Sequence, residues 1–197
     1  METLKVKLTF IEEVLGTASS NPEIHKEFIA SKAEDAAKIE DEVASIGAEA
    51  VEEKSKTIFP KENDKPFVWD YQIKGFFKDA CSMLRRATDT KSSKLTAHKK
   101  VIDGCIFAQP RKILLTLPEG AEMGNCQRPL RASTAQGERI ALANSETVPE
   151  GTTIEFSIVL LQPKLKAVVE EWLDYGQLRG LGQWRNSGKG RFDWAKC

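Results

Sequence analysis

The sequence lacks the long apolar runs and leader patterns that mark membrane and exported proteins. No stretch of its 197 residues approaches the roughly 18 consecutive apolar residues that suggest a membrane span. Residues 1–5 lead directly into an alternating pattern, without the regions of a signal peptide. We therefore expect no membrane contact and a cytoplasmic location. The composition, 41% hydrophobic and 29% charged, is that of an ordinary globular domain.

Cysteine and histidine are scarce and scattered along the chain. The four cysteines form no Cys-x-x-Cys pair, and the only histidines are His25 and His98. Zinc sites need closely spaced ligands of these types, so we expect no metal and no other cofactor. Reduced structural thiols are the simplest interpretation of the cysteines, which are Cys81, Cys105, Cys126 and Cys197.

The motifs of common enzyme classes are also missing. The sequence has no phosphate-binding Walker loop, no Gly-x-Ser-x-Gly and no carboxylate-rich metal cluster. His98, in a lysine-rich stretch, and Asp70 are weak candidates for an acid or base that would cleave RNA. A surface histidine without a catalytic role is the alternative. We expect a binding protein, with a metal-independent endoribonuclease as the alternative.

Arginine is absent from the first third of the chain. Up to Asp70 there are 9 Lys, no Arg and 16 acidic residues, a net charge of −7. From Tyr71 onward there are 11 Lys, 9 Arg and 13 acidic residues, a net charge of +7. Arginine presents a planar fork to phosphates and stacks on bases, so this segregation favours a nucleic-acid surface in the second part. Chance composition is the alternative.

A stretch near the end of the chain, residues 180–192, combines glycines with positive charge. Two Gly-x-Gly pairs are separated by five residues, and four cations and a tryptophan lie among or beside them. Glycine permits positive φ and close approach, while amides, cations and a flat ring suit phosphates and stacked bases. A flexible turn before a final strand is the alternative. The flanking residues are Arg179, Trp184, Arg185, Lys189 and Arg191.

Two segments of the sequence resemble a known family. A Val148-Pro149-Glu150-Gly151-Thr152 turn precedes a strand, an amphipathic helix and a loop ending Gly188-Lys189-Gly190-Arg191-Phe192. This order resembles the RAMP superfamily (repeat-associated mysterious proteins), and most of all the backbone subunits that bind guide RNA in class 1 CRISPR effector complexes. The resemblance implies an α+β fold with a ferredoxin-like (RRM-like) core. It also implies RNA binding and copies that line up along one strand.

A second likeness to the family lies mid-chain and is less complete. The helical spacing of Ile73, Phe76 and Phe77 predicts a helix from about Tyr71 to Ala87, which includes Ile73-Lys74-Gly75 near its start and bears Arg85 and Arg86. The family often has Ser-Ser-(Leu/Ile)-Lys-Gly-x-(Leu/Phe)-Arg at this place. Tyr71 and Gln72 stand where the family has serines, and Lys78 or Asp79 falls near its arginine. We expect Lys74 and Gly75 in the first helical turn, where they could hold a phosphate. A close contact between helix and sheet, requiring glycine, is the alternative.

The chain is expected to form a single domain, residues 1–197, with helical and β-hairpin insertions. Residues 20–56 form an acidic helical insertion that contacts a partner or simply covers the sheet. Residues 120–142 form a β-hairpin insertion whose arginines either grip nucleic acid or lie in solvent. Residues 57–59 and 66–69 could form a further hairpin.

We therefore expect a protein that binds single-stranded nucleic acid, most of all RNA resembling a guide, and that associates with copies of itself along the RNA or with CRISPR-type subunits. A phage-encoded interaction module that inhibits CRISPR complexes by mimicking a backbone subunit is a further alternative. The residues expected to contact nucleic acid are Lys74, Arg85, Arg128, Arg131, Arg139, Arg179, Gly180, Gly182, Trp184, Arg185, Gly188, Lys189, Gly190 and Arg191.

Overall fold

The computed structural model describes residues 1–19, 56–134 and 137–197, with the side chains of residues 130–141 excepted. The chain divides into two compact units. The sheet unit comprises Met1–Val14, Pro60–Glu122 and Val148–Cys197, and the hairpin unit comprises Leu15–Phe59 and Met123–Thr147. Among the described residues, no helix is both long enough and apolar enough to cross a bilayer.

The described elements follow one another in mixed order. They are β1 (Glu2–Phe10), β2 (Val14–Leu15), β3 (Ala18–Ser19), β4 (Thr57–Ile58), β5 (Lys61–Glu62), β6 (Lys65–Trp69), α1 (Asp70–Leu84), α2 (His98–Cys105), β7 (Ile106–Gln109), β8 (Lys112–Thr116), β9 (Gly124–Thr134), β10 (Gly137–Val148), β11 (Thr153–Leu160), α3 (Lys166–Arg179) and β12 (Phe192–Lys196). Short 3₁₀ turns occupy Ser92–Lys94, Pro163–Leu165 and Arg185–Ser187.

The sheet unit is built on a ferredoxin-like core. Its strands lie in the order β12-β1-β11-β8-β6-β5, and β7 pairs with β11 beside β8. Every pairing within this sheet is antiparallel. If β7 and β8 count as one interrupted strand, the core runs β-α-β-β-α-β with the fourth, first, third and second strands side by side. The predicted α+β class with a ferredoxin-like core is confirmed.

Alternation along β1 decides which face of the sheet is buried. Leu4, Val6 and Leu8 are buried, whereas Lys5 points to the opposite face, as strand geometry requires. On the buried side, the ring centroids of Phe77 and Trp172, from α1 and α3, lie 5.4 Å apart. The two long helices therefore pack over one face. Lys5, and Ser157 and Gln109 opposite it on the neighbouring strands, lie on the other face, which we call the open face.

Helix α1 begins one residue earlier than predicted and ends three residues earlier than the predicted Ala87. It begins at Asp70, and the side chain of Gln72 accepts a hydrogen bond from the Trp69 N–H at 2.7 Å. The prediction that Lys74 and Gly75 lie in the first turn is therefore wrong. The need for glycine is not supported either, because a Cβ at Gly75 would meet nothing within 4 Å.

Two further parts of the chain are the segments around Pro110 and Pro163 and the hairpin predicted between residues 57 and 69. Strands β7 and β8 flank Pro110, and the 3₁₀ turn at Pro163 leads into α3. The hairpin between residues 57–59 and 66–69 is wrong. Strand β4 pairs with β3 and β10, whereas β6 pairs with β5. Short polar segments such as Lys61–Glu62 carry too little alternation to be recognised as strands.

The hairpin unit contains a long antiparallel pair, β9 and β10. Its register runs from Gly124 opposite Thr147 to Thr134 opposite Gly137. Near its base, the Thr57 hydroxyl donates to Ser145 Oγ at 2.7 Å, where β4 pairs in parallel with β10. The hairpin predicted for residues 120–142 corresponds to this pair. The division into one domain with two insertions stays a prediction, and residues 20–55 lie outside the described residues.

Candidate nucleic-acid interface

The glycine loop, residues 180–192, folds back on itself. Gly180, Gly182, Gly188 and Gly190 all have positive φ, between 71° and 91°. A Cβ at Gly190 would lie 1.9 Å from the carbonyl oxygen of Leu181, whose N–H donates to the Gly190 carbonyl at 2.8 Å. The close approach that these glycines permit is thus, first of all, that of one arm of the loop to the other.

The first arm of the loop is tied to helix α1 through Asp79. Arg179 Nε donates to Asp79 Oδ2 at 2.9 Å, and its Nη1 donates to Asn186 Oδ1 at 2.7 Å. Arg185 Nη1 lies 3.0 Å from the same Asp79 oxygen. The hydrogen bond to Asp79 raises the pKa of Arg179 above its ordinary value. One carboxylate therefore orients two of the predicted phosphate ligands.

The second arm of the loop is tied to the residues after β1. Lys189 Nζ lies 2.7 Å from Glu13 Oε1 and 4.0 Å from Glu12 Oε2. Arg191 Nη2 donates to Glu12 Oε1 at 2.9 Å, and its Nε donates to the Gly188 carbonyl at 3.2 Å. The four loop cations thus face three carboxylates. A phosphate would have to compete with these acids for the cations.

Trp184 is accessible at the turn of the loop. Its side chain is among the exposed large hydrophobic groups, at 39% exposure, and its φ is +54°. An L residue other than glycine adopts this left-handed region at a cost, which the surrounding structure must offset. A base could stack on the exposed part of the ring.

Lys74 lies on a different side of α1 from the acid that binds the loop. It precedes Asp79 by five residues, which is about 7.5 Å along the helix axis and places the two side chains on different faces of the helix. Its Nζ donates to the Asp103 carbonyl at 3.3 Å and lies 4.4 Å from the ring centroid of Phe107. The structure thus brings Lys74 to β7 rather than to the glycine loop.

Arg85 and His98 form a separate polar cluster. Arg85 Nη1 lies 2.8 Å from His98 Nδ1, and His98 Nε2 lies 3.0 Å from Ser82 Oγ. A guanidinium only donates, so Nδ1 accepts and the imidazole is neutral with its proton on Nε2. Burial, and then Arg85 and Lys99, lower the pKa of His98 below 6.5. As a proton donor His98 would have to leave both partners.

Asp70, the other candidate for acid-base chemistry, begins α1. Its backbone N–H donates to the Arg111 carbonyl at 2.9 Å, and its Oδ1 lies 4.0 Å from Arg111 Nη1. That oxygen is buried and accepts no hydrogen bond from the described residues. The described residues also hold no cluster of three potential metal ligands.

Three predicted contact residues, Arg128, Arg131 and Arg139, lie on β9 and β10, and the structure describes the side chain of Arg128 alone among these three. Arg128 is buried at 7% exposure, and its Nη1 donates to Ser145 Oγ at 3.4 Å within the hairpin unit. In the strand register, Arg131 lies opposite Ile140 and Arg139 opposite Ala132. The side chains of Arg131 and Arg139 are outside the described residues. A nucleic-acid contact by this hairpin stays a prediction.

Sequence reasoning missed the acids that hold the loop. Glu12 and Glu13 lie about 180 residues before the loop, and Asp79 lies 100 residues before Arg179. No local pattern connects such distant residues. It also missed the exposed side of β7, because Ile106-Phe107-Ala108 is a continuous apolar run and nothing in the sequence marks Phe107 as exposed.

Comparisons with known proteins find similarity in structure only. No family model matches the sequence, and no curated protein matches it. A structure of the type III-B Cmr-beta bound to cognate target RNA contains a chain with a TM-score of 0.56 and 13% identity. The two chains share a fold. The similarity covers 98% of this chain and 58% of that one, so this protein spans under two thirds of its length.

A second structure, a type IV-B CRISPR complex, aligns with a TM-score of 0.49 and 11% identity. That alignment covers 100% of this chain and 90% of the other.

Proposed function

We propose that this protein binds single-stranded RNA as a CRISPR-associated subunit of the RAMP backbone type, with the glycine loop as its phosphate grip. The observation that carries the proposal is the closed loop, which gathers four cations and an exposed tryptophan at one end of a ferredoxin-like sheet. The fold shared with a chain of the RNA-bound type III-B structure supports it.

The acids of the loop orient its cations in the free protein. Glu12 and Asp79 hold Arg191 and Arg185 in place, which reduces the side-chain entropy lost when a phosphate binds. A bound phosphate would accept hydrogen bonds from some of the N–H groups of each planar guanidinium, while the carboxylate keeps the others. A base next to that phosphate would stack on Trp184.

The proposal extends to assembly. Copies of the chain would bind side by side on one RNA, or with other CRISPR-type subunits. The acidic segment of residues 20–56 would then contact a neighbour. Its charge would keep RNA away from that part of the molecule and direct the strand toward the basic second part.

The proposal is tested by the affinity for labelled single-stranded RNA, measured by fluorescence anisotropy over a range of salt. Replacing both Arg185 and Arg191 with alanine should weaken binding about tenfold or more and lower the salt slope by about two, because two phosphate contacts are lost. Lys94→Ala with Lys164→Ala removes the same charge elsewhere and is the matched control. Equal affinity of the loop variant and the wild type would reject the grip.

The alternative functions predict different outcomes. An endoribonuclease would cut RNA without metal and lose activity in His98→Ala. An interaction module would bind its protein partner in the presence of ribonuclease, and deletion of residues 20–56 would abolish that association. The ratio of absorbance at 260 and 280 nm of protein purified from its host distinguishes an RNA-loaded protein from both.

A further inference from the structure

A second candidate surface lies on the open face of the sheet. A groove of about 590 Å³ is lined by Asp70, Phe107, Gln109, Pro110, Arg111 and Ser157, together with Ala108. Volumes of roughly 300–1,000 Å³ are usual for sites that bind small organic groups. An adjoining cavity of about 220 Å³ shares Gln109, Pro110 and Ser157 and extends to Lys5 and Cys197. Glu155 also lines the smaller cavity.

Aromatic rings are exposed at this groove, although such rings are usually buried. Phe107, on β7, is 37% exposed. Next to the lining residue Asp70 in sequence, Tyr71 is 54% exposed and stacks on Trp69, with centroids 6.1 Å apart and planes inclined by 15°. Flat rings open to solvent offer stacking surfaces for nucleobases.

Cations accompany these rings. The side chain of Arg111 is 74% exposed, its nearest described carboxylate oxygen is 4.0 Å away on Asp70, and it lies 5.5 Å from the Trp69 ring centroid. Lys74 Nζ lies 4.4 Å from the Phe107 centroid. Each cation therefore lies over the face of an aromatic ring, so a base that stacks on that ring must use the other face or displace the cation toward its own phosphate.

Neutral hydrogen-bonding groups complete the groove. Ser157 on β11 lies opposite Lys5 on β1 and opposite Gln109 on β7, so the three form a row across three strands on one face. With neighbouring strands about 4.8 Å apart, the row is about 10 Å long. A hydroxyl and an amide at this spacing can donate to and accept from base edges and the 2′-hydroxyl.

We propose that this groove is a second RNA subsite, in which one base stacks on Phe107 while Gln109 and Ser157 bind its edge or ribose and Arg111 holds a flanking phosphate. It rests on the proposed function, because it assumes that the chain binds RNA. A polynucleotide fits better than a peptide, since a ligand that contacts both the Phe107 ring and Arg111 must supply a flat face and negative charge.

The test uses the full chain and the same labelled RNA. Phe107→Ala should weaken binding about tenfold to a hundredfold, within the usual range for loss of one stacked base. Phe107→Tyr keeps the ring and should stay close to wild type. Leu178→Ala, which removes an exposed apolar side chain from α3, is the matched control and should change nothing. Arg111→Gln should lower the salt slope by about one.

The outcomes separate the subsite from the proposed function. If wild type binds RNA and the loop variant is weak, but Phe107→Ala matches wild type, the subsite is rejected while the loop grip stands. If wild type does not bind RNA, both are rejected. Ultraviolet crosslinking adds a second measurement: crosslinked peptides containing residues 105–112 support the groove, and crosslinks confined to residues 180–192 contradict it.

Discussion

The glycine loop and the groove on the open face hold their cations in different ways. In the loop, Arg179 and Arg185 both lie within about 3 Å of Asp79, which is 19% exposed. In the groove, Arg111 is 74% exposed, and its nearest described carboxylate oxygen is 4.0 Å away. The loop thus has ordered cations that are largely neutralised, whereas the groove has an accessible cation beside aromatic rings.

If both regions bind RNA as proposed, the conspicuous motif is only part of the binding surface. Closely spaced glycines and arginines are visible in sequence, yet part of their role is to close the loop and tie it to β1 and α1. The groove is assembled from ordinary residues of β7, β11 and the start of α1. The following changes test whether the two regions act separately.

The largest effect is expected where the loop closes. Gly190→Ala places a Cβ 1.9 Å from the Leu181 carbonyl oxygen at a residue with φ of +71°, so the loop must open. We expect a loss of unfolding free energy of about 2–5 kcal/mol from left-handed strain and steric overlap. Urea denaturation followed by circular dichroism measures it.

Gly75→Ala is the matched control for that change. It lies in α1 with no atom within 4 Å of the added Cβ, so it should stabilise the protein by about 0.5–1 kcal/mol. Unchanged stability in Gly190→Ala would contradict the closed loop. If Gly190→Ala opens the loop without global unfolding and RNA still binds at the groove, the two regions are independent.

Neutralising the acid that holds the first arm should act on affinity. Asp79→Asn keeps a hydrogen-bond acceptor for Arg179 but removes the charge that competes with phosphate. We expect RNA affinity to rise about fivefold, the equivalent of the roughly 1 kcal/mol that a partly exposed ion pair contributes. Anisotropy titration at low salt measures the change.

Asp103→Asn is the control for this charge removal. Asp103 lies on α2 and pairs at 2.6 Å with Lys78 of α1, and none of the four loop cations pairs with it in the described residues. It should leave affinity nearly unchanged. A fall in affinity in Asp79→Asn would mean that the acid is needed to position the arginines, and that its competition with phosphate is minor.

The smallest effect concerns His98, outside both regions. Its folded-state pKa lies below 6.5, so the unfolded state binds more protons as the pH falls through that value. Its contribution to stability is therefore present above pH 6.5 and is lost toward the lower, folded-state pKa. His98→Gln should reduce the fall in Tm between about pH 7 and pH 5. Parallel pH profiles for both proteins would contradict this assignment.

Much of the fold followed from local patterns. The alternation of Leu4, Val6 and Leu8 predicted β1, and the helical spacing of Ile73, Phe76 and Phe77 predicted α1. The family resemblance supplied the ferredoxin-like arrangement of these elements. The start of α1 was misplaced by one residue, because its capping group is the side chain of Gln72 rather than a preceding Ser, Thr, Asp or Asn.

By itself, the sequence determined the strands, the helices and the concentration of arginine after Tyr71, because these depend on near neighbours in the chain. Only the tertiary structure decided that Asp79, Glu12 and Glu13 face the loop cations, and that Phe107 and Arg111 share an open groove. Contacts of this kind form between side chains far apart in sequence, and only the packing of helices on the sheet sets their distances.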